Sequence, residues 1–482
     1  MIQGMKIWNK IFVTVAYLSA LVCSGCNNWL SVSPKAEVKY EDLFRSRNGF
    51  KDQLTGVYTS MCAEAAYGTN LTYGAVDAMG QYYYLERSRT NKFYFFTRWE
   101  YDNSANKQMI QESWDKMYNA IVNINILIQG LDEFSGVLKP HEAAIYRGEA
   151  LGLRAMLHFD LLRLFGESMV AGANSPAIPY MDKASTKVFP LGTTQEVLKR
   201  ILTDLEESAK LLEEDPVHTG SEEDPFLGNR RFHLNYYAVK ALMARVYLYA
   251  GDKESALKSA LEVIQSGKFT WVDRNSITTT QRAERDALFM SENIFMLNNT
   301  LLNDLANRYL RPGMIDDQNH ILIVDGDVVK SVYETDRYGT LDWRNTYLFE
   351  MPEWFGYNTR LWQYDDMPQQ FRNRQPLIRM SEIYLIAAEC SPQAGEGVTF
   401  LNELRNHRGL PENLDLPQSI TPRGLQDEIG KEYKKEFLGD GQFFFYCKRM
   451  NMSEIPDALS DFNPSYYRWP LPDLEKEYGN RK

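Results

Sequence analysis

The sequence predicts a mostly α-helical protein, an array of packed helices carrying long loop-rich insertions and a few short β-hairpins. Three observations predict it. Residues 146–166, YRGEALGLRAMLHFDLLRLFG, show two apolar arcs when wound at about 100° per residue. Tyr146, Ala150, Leu153, Leu157, Leu161 and Leu164 form one; Gly148, Leu151, Gly152, Ala155, Phe159 and Leu162 form the other. A helix with two apolar faces packs on both sides, so this one belongs inside an array. The second observation is residues 241–264, ALMARVYLYAGDKESALKSALEVI, where Ala241, Ala244, Tyr247, Gly251, Ala256 and Ala260 suit two closely packed antiparallel helices joined at Gly-Asp. The third is MSEIYLIAAE within 379–408, which repeats the first half of that pattern, while Glu396-Gly397 departs where alanine is expected.

The N-terminus reads as an export signal. Lys6 and Lys10 precede an apolar run over 11–22, the length of a signal core and too short to span a membrane. Ser24 and Gly25 lead to Cys26, resembling a bacterial lipobox in which the cysteine becomes the acylated first residue. The alternative is an ordinary signal with a chance cysteine. Cleavage before Cys26 splits the Cys23–Cys26 CxxC, which is therefore no redox or metal motif. Cys62, Cys390 and Cys447 are most simply buried small hydrophobes, with a disulfide from Cys62 or Cys390 to Cys447 left open.

Further along, Leu43, Phe50, Leu54, Val57 and Met61 have helical spacing, as do Trp114, Tyr118, Ile121, Asn125 and Ile128. Residues 67–106, rich in Gly, Asn and Tyr, break the period. Thr193 with Glu196 forms a capping box ahead of Val197, Ile201, Leu205 and Leu212. Residues 215–230 form a polar loop. Residues 270–375 are again irregular and aromatic, and 321–329, ILIVDGDVV, predicts a hairpin turning at Asp325-Gly326. The last stretch returns to helix before a Pro-rich tail. The organisation is a signal at 1–25 and one domain at 26–482, divided into an N-terminal helical part (26–230), a tetratricopeptide-like hairpin (231–268), a loop-rich insertion (269–375) and a C-terminal helical part (376–482).

A net charge of −11 argues against nucleic acid, which wants a basic footprint. No GxSxG, P-loop or HExxH occurs, and His141, His158, His218, His233, His320 and His407 are scattered. No catalytic residue, cofactor or metal is therefore expected. A glycosidase would need two carboxylates facing across a cleft; among 64 acids nothing singles out a pair. Asp325 and Asp327 could ligate calcium, but a hairpin turn accounts for Asp-Gly more simply.

In order, the lipobox cysteine, W-x3-Y-x2-I-x3-N at 114–125, YRGEALGLRA at 146–155 followed by LFGE, ILTDLEESAKLL at 201–212, ALMARVYLYAGD at 241–252, PLIRMSEIYLIAAE at 376–389, LNELRNHRGL at 401–410 and EIGKEYKKEFLGDGQFFFYCKRM near the end resemble the SusD/RagB family of Bacteroidota outer-membrane lipoproteins. The resemblance implies a TPR-like SusD-like fold and a binding protein. It would hold a glycan or oligosaccharide at the cell exterior and pass it to a SusC-like TonB-dependent transporter barrel, anchored in the outer membrane through its N-terminal lipid. A peptide-binding RagB-like member is the alternative, and a glycan hydrolase a more distant one.

Sugar rings stack their C–H faces on Trp and Tyr, while their hydroxyls want planar polar partners. The two irregular segments supply both. The first offers Asp77, Tyr82, Tyr83, Tyr84, Arg98, Trp99, Tyr101 and Asn103, with Tyr73 beside them. The second offers Arg308, Tyr309, Trp354 and Tyr357, with Trp343 and Trp362. Trp99 leads the list. Asp342-Trp343-Arg344 resembles a recurring family D-x-R read as structural, and the stripe of Arg147, Arg154 and His158 as a buried, acid-paired seam.

Overall fold

The structure, a computed structural model, describes residues 39–221 and 224–479. The export signal and Cys26 lie outside the described residues. The longer helices are α1 (Arg47–Met61), α2 (Ser104–Glu133), α3 (Pro140–Phe165), α4 (Thr194–Leu211), α5 (Tyr236–Ala250), α6 (Lys253–Gln265), α7 (Leu302–Tyr309), α8 (Gly326–Val332), α9 (Met380–Cys390), α10 (Ala394–Asn406), α11 (Pro422–Glu436) and α12 (Phe443–Arg449). Strands are few and short: β1 (Pro176–Pro179), β2 (Leu191–Thr193), β3 (Asn293–Asn298), β4 (Val324–Asp325), β5 (Phe349–Glu350), β6 (Phe355–Asn358) and β7 (Arg374–Arg379). This is the mostly α, TPR-like architecture that the apolar periodicity predicts.

Helix α3 is the centre of the array. Every residue from Gly148 to Phe165 is buried, as two apolar arcs require. It starts at Pro140, whose missing N–H costs nothing in the first turn, and the Glu142 carboxylate accepts from the Lys139 N–H at 3.0 Å. One side packs on α2 and the other on α4. A Cβ at Gly152 would stand 2.7 Å from Leu234 Cδ2 and 2.9 Å from Ser208 Oγ, so glycine permits that approach. The capping box holds: the Glu196 N–H donates to Thr193 Oγ1 at 3.2 Å, and Glu196 Oε2 accepts from the Thr193 N–H at 2.8 Å.

The polar stripes of α3 become buried ties. Arg154 grips Asp204 of α4 through Nε (2.7 Å) and Nη2 (2.8 Å), while its Nη1 donates to Asn125 of α2 at 2.9 Å. Three helices are thereby joined at one guanidinium. Glu149 binds Arg230 at 2.8 Å and His233 at 2.6 Å. Burial alone would raise the Glu149 carboxyl, but His233 and Arg230 overcome it and hold it at about 2. Arg147 pairs with Asp132 near the surface. His158 is buried but takes no acid; its partners are backbone groups, so the acid-paired seam is limited to the arginines.

The predicted hairpin α5–α6 turns at Gly251 (φ +87°), and Asp252 accepts from the Ser255 N–H at 3.0 Å to start α6. The second hairpin, α9–α10, packs against α6. The departure at Gly397 has a steric reason: a Cβ there would lie 2.3 Å from the Ala388 carbonyl oxygen.

Two features differ from expectation. Strand β3 pairs antiparallel with β7 from the far end of the insertion, in register Asn293 with Arg379 and Asn298 with Arg374, and so closes its neck. Residues 321–329 are no hairpin. Strand β4 pairs with β6, and Asp325 caps α8, its Oδ1 accepting from the N–H groups of Asp327 (2.8 Å) and Val328 (3.3 Å). Asp-Gly serves a helix start as well as a turn, and here the carboxylate satisfies the otherwise orphaned amides. Asp327 pairs with Lys330 at 2.8 Å.

Below the insertion sits a buried ionic cluster. Glu436 of α11 receives Arg344 (3.0 Å), Arg379 (2.5 Å) and Arg408 (2.9 Å); Asp342 and Glu432 also bind Arg344, at 2.7 and 2.9 Å. The Asp342-Trp343-Arg344 motif is structural, joining insertion to scaffold. Cys62, Cys390 and Cys447 are buried free thiols, which answers the open disulfide question. Among the described residues no helix is long and apolar enough to cross a membrane.

Candidate functional site

Most candidates of the first irregular segment turn inward. The Asp77 carboxylate accepts from the N–H groups of Gly439 (2.6 Å) and Gly441 (3.1 Å), and burial drives its pKa well above the usual carboxylate range. Its chemistry is that of a tether for the turn between α11 and α12. Tyr82 donates to the Lys434 carbonyl at 2.8 Å, and Tyr83 to the Tyr73 carbonyl at 2.6 Å. Trp99 is 2% exposed: its indole N–H donates to the Met79 carbonyl at 3.3 Å, and its ring lies parallel to Tyr466 and edge-on to Phe462. Tyr101 donates to the Tyr466 carbonyl at 2.7 Å. Asn103 caps α2, which begins earlier than the periodicity suggests, accepting from the Ala105 N–H at 2.9 Å.

These placements correct the expectation that Asp77, Tyr82, Tyr83, Trp99 and Tyr101 present themselves to a ligand, while half-exposed Asn103 is engaged in the helix cap. The reason is a lid of distant chain: the C-terminal tail and the α11–α12 turn cover the segment, so its rings have partners within the protein. Tyr309 of the second segment is buried likewise and donates to Glu64 at 2.6 Å. Arg308 sits outside it, 3.3 Å from the same carboxylate. Trp362 is buried with its N–H on the Leu310 carbonyl. Arg98, half-exposed, divides itself between Glu100 (2.9 Å) and Glu86 (3.2 Å).

Of the aromatic candidates that reach the surface, Tyr84 and Trp354 join the two segments, with Tyr357 beside them. The Tyr84 N–H donates to the Ile323 carbonyl at 2.9 Å, laying the first segment along the second. Strands β5 and β6 form a hairpin, Phe349 opposite Asn358 and Glu350 opposite Tyr357. Trp354 closes its tip, its carbonyl accepting from the Gly326 N–H at the start of α8 (2.7 Å). The Tyr84 ring meets Trp354 edge to face at 5.8 Å, Phe355 lies 4.7 Å from Trp354, and Tyr357 5.5 Å from Phe355. Trp354 stays 36% exposed and neighbouring Met351 41%. Arg87 places its guanidinium 4.2 Å above the Trp354 ring. Arg87 and Phe355 are site residues that the reading of the sequence missed. The available signal for Arg87 was charge: residues 86–98 hold four bases and one acid in a chain of net −11.

A concavity of about 440 Å³ lies elsewhere, between α8, α11 and α12, and is lined by Val332, Phe443, Tyr446, Met450 and Met452. Its aromatic rings are themselves buried, with Tyr446 stacked on Tyr433 at 4.5 Å, so they offer no free face. The aromatic hairpin is the better candidate because its rings reach solvent.

Fold and site together define a helical-repeat scaffold that presents an aromatic loop cluster. Residues 28–248 match a family described as "Starch-binding associating with outer membrane", and residues 329–475 match one described as "SusD family". A SusD-like protein of Formosa agariphila is 23% identical, covering 97% of both chains. A second SusD-like protein of that organism is 19% identical over 90% of this chain and 88% of its own. Among solved structures, a SusD superfamily protein from Bacteroides thetaiotaomicron superposes with a TM-score of 0.71 at 21% identity, covering 90% of this chain and 98% of the other. A SusD-like carbohydrate binding protein from Bacteroides vulgatus gives 0.70 at 17% identity, covering 90% and 97%. The chain belongs to the SusD/RagB family.

Proposed function

We propose that this protein is a non-catalytic glycan-binding lipoprotein of the outer membrane that captures oligosaccharides and hands them to a SusC-like TonB-dependent transporter. The observation that carries the reading is the surface cluster of exposed Trp354 with half-buried Tyr84 and Tyr357, where two loop segments converge on the helical array. An exposed indole backed by other rings suits the C–H face of a sugar. Family membership supports the binding role, and so does the description of one structural neighbour as carbohydrate binding. Cys26, in a lipobox-like context, is the proposed site of the lipid, and the transporter the proposed partner.

Affinity electrophoresis through gels containing different polysaccharides tests the binding role. Retardation by at least one glycan, with no reducing ends released, is expected. Release of reducing ends would make the protein a hydrolase, and retention of peptides alone would place it with the peptide-binding branch. Co-purification with a transporter barrel tests the partnership, and loss of membrane attachment in Cys26→Ala tests the anchor.

A further inference from the structure

Arg87 stands apart from the other bases of its segment. Arg89 pairs with Glu86 at 3.4 Å, Arg98 with Glu86 and Glu100, and Lys92 with Glu64. Arg87 is exposed, and among the described residues no carboxylate pairs with it. Its one recorded partner is the Trp354 ring, 4.2 Å below the guanidinium carbon. Glu353, adjacent to Trp354 in the chain and also exposed, forms no ion pair with it.

This arrangement has a chemical consequence. A guanidinium held over a ring face by its carbon keeps N–H groups free of the ring, and a carboxylate or sulfate can take two of them at once. Arginine stays charged at any physiological pH, so the donor set is permanent. A neutral sugar approaching the covered face of Trp354 must displace the guanidinium and gives up that cation–π contact. An anionic sugar on the same ring draws the guanidinium to its own charge and gains a charge-assisted bond.

We propose that the Trp354 site takes acidic oligosaccharides, glycans whose sugars carry a carboxylate or a sulfate ester, with Trp354 as the stacking surface and Arg87 as the anion's partner. The proposal rests on the glycan-binding reading above and narrows its ligand class. Carboxylate and sulfate share the chemistry that Arg87 recognises, and the choice of gels separates them.

The purified protein is run through gels containing polygalacturonate or alginate (carboxylate), carrageenan (sulfate), and starch or xylan (neutral). Retention by a carboxylate gel or by the sulfate gel is expected. Arg87→Gln should weaken that retention roughly tenfold, the scale of one hydrogen bond to a charged group. Arg423→Gln, which removes an exposed base elsewhere, on α11, should leave it unchanged and thereby separates a specific contact from net charge. Circular dichroism checks that both variants fold. Retention by neutral gels alone, or acidic retention equal in wild type and Arg87→Gln, overturns this proposal and leaves the glycan reading standing. Retention by none of the gels overturns both.

Discussion

Tyr84 and Trp354, 270 positions apart in a chain of 482, meet edge to face with ring centroids 5.8 Å apart. The contact joins two segments that share no regular element, and it leaves the indole partly open to solvent. Trp354→Ala should therefore weaken glycan binding by about 2 kcal/mol, roughly thirtyfold, as loss of a central aromatic anchor does. Melting temperature should fall only modestly, because the ring packs on Tyr84 and Phe355 but lies at the surface. Calorimetry against a retained glycan reads the first quantity, and unchanged affinity would remove Trp354 from the site.

Trp99 should behave the other way. Its ring is enclosed by Tyr466 and Phe462, and its N–H is paired with the Met79 carbonyl. Trp99→Ala leaves a cavity and an unpaired carbonyl, which costs about 3–5 kcal/mol of stability. The urea midpoint should fall sharply while the remaining folded protein binds glycan as the wild type does. A variant with normal stability and lost binding would return Trp99 to the ligand site.

That contrast shows what the sequence made legible. Periodicity reads a helix's faces from within the helix, so α3 came out buried along both arcs and Thr193–Glu196 came out as a cap. Ring exposure in an irregular segment depends on what covers it. Tyr82 bonds to a carbonyl 352 positions away and Tyr101 to one 365 positions away. No local pattern in residues 67–106 encodes that cover, so the segments were identified correctly as aromatic and irregular while most of the individual rings were misplaced. Asp325-Gly326 failed differently. The dipeptide fits a hairpin turn and a helix cap equally, and the pairing of β4 with the distant β6 decides between them.

Glu436 should be among the least replaceable residues of the scaffold. It is fully buried and neutralises Arg344, Arg379 and Arg408 together, so these cations hold it well below the usual carboxylate range although burial opposes them. Glu436→Gln keeps the shape and removes the charge, leaving excess positive charge in a low dielectric. The expected loss is about 3–5 kcal/mol, the scale of breaking a buried pair from one side. Denaturant unfolding checks it; a loss under 1 kcal/mol would mean that water or the other acids of the cluster compensate.

His158 sets a pH dependence whose sign follows from its hydrogen bonds. Its Nδ1–H donates to the Arg154 carbonyl at 2.9 Å, and its Nε2 accepts from the Met181 N–H at 3.0 Å. Only the neutral ring satisfies both, because a proton on Nε2 would face another N–H. Burial pushes the pKa down to about 3, with Arg154 and Arg200 adding repulsion to the charged form. The unfolded chain titrates near the ordinary value of about 6.5. Between those values the unfolded state binds a proton that the folded state refuses. The contribution is present above about pH 6.5 and is lost as pH falls, by up to about 1.4 kcal/mol per unit. Asp286, raised to about 6 by burial, works in the opposite direction over roughly pH 4–6, so wild type must be compared with a variant that retains it. His158→Gln, less stable at pH 7 through lost packing on Tyr180, should show a stability difference from wild type that narrows from pH 7 to pH 5. A difference that stays constant across that range would mean that His158 accepts its proton while folded.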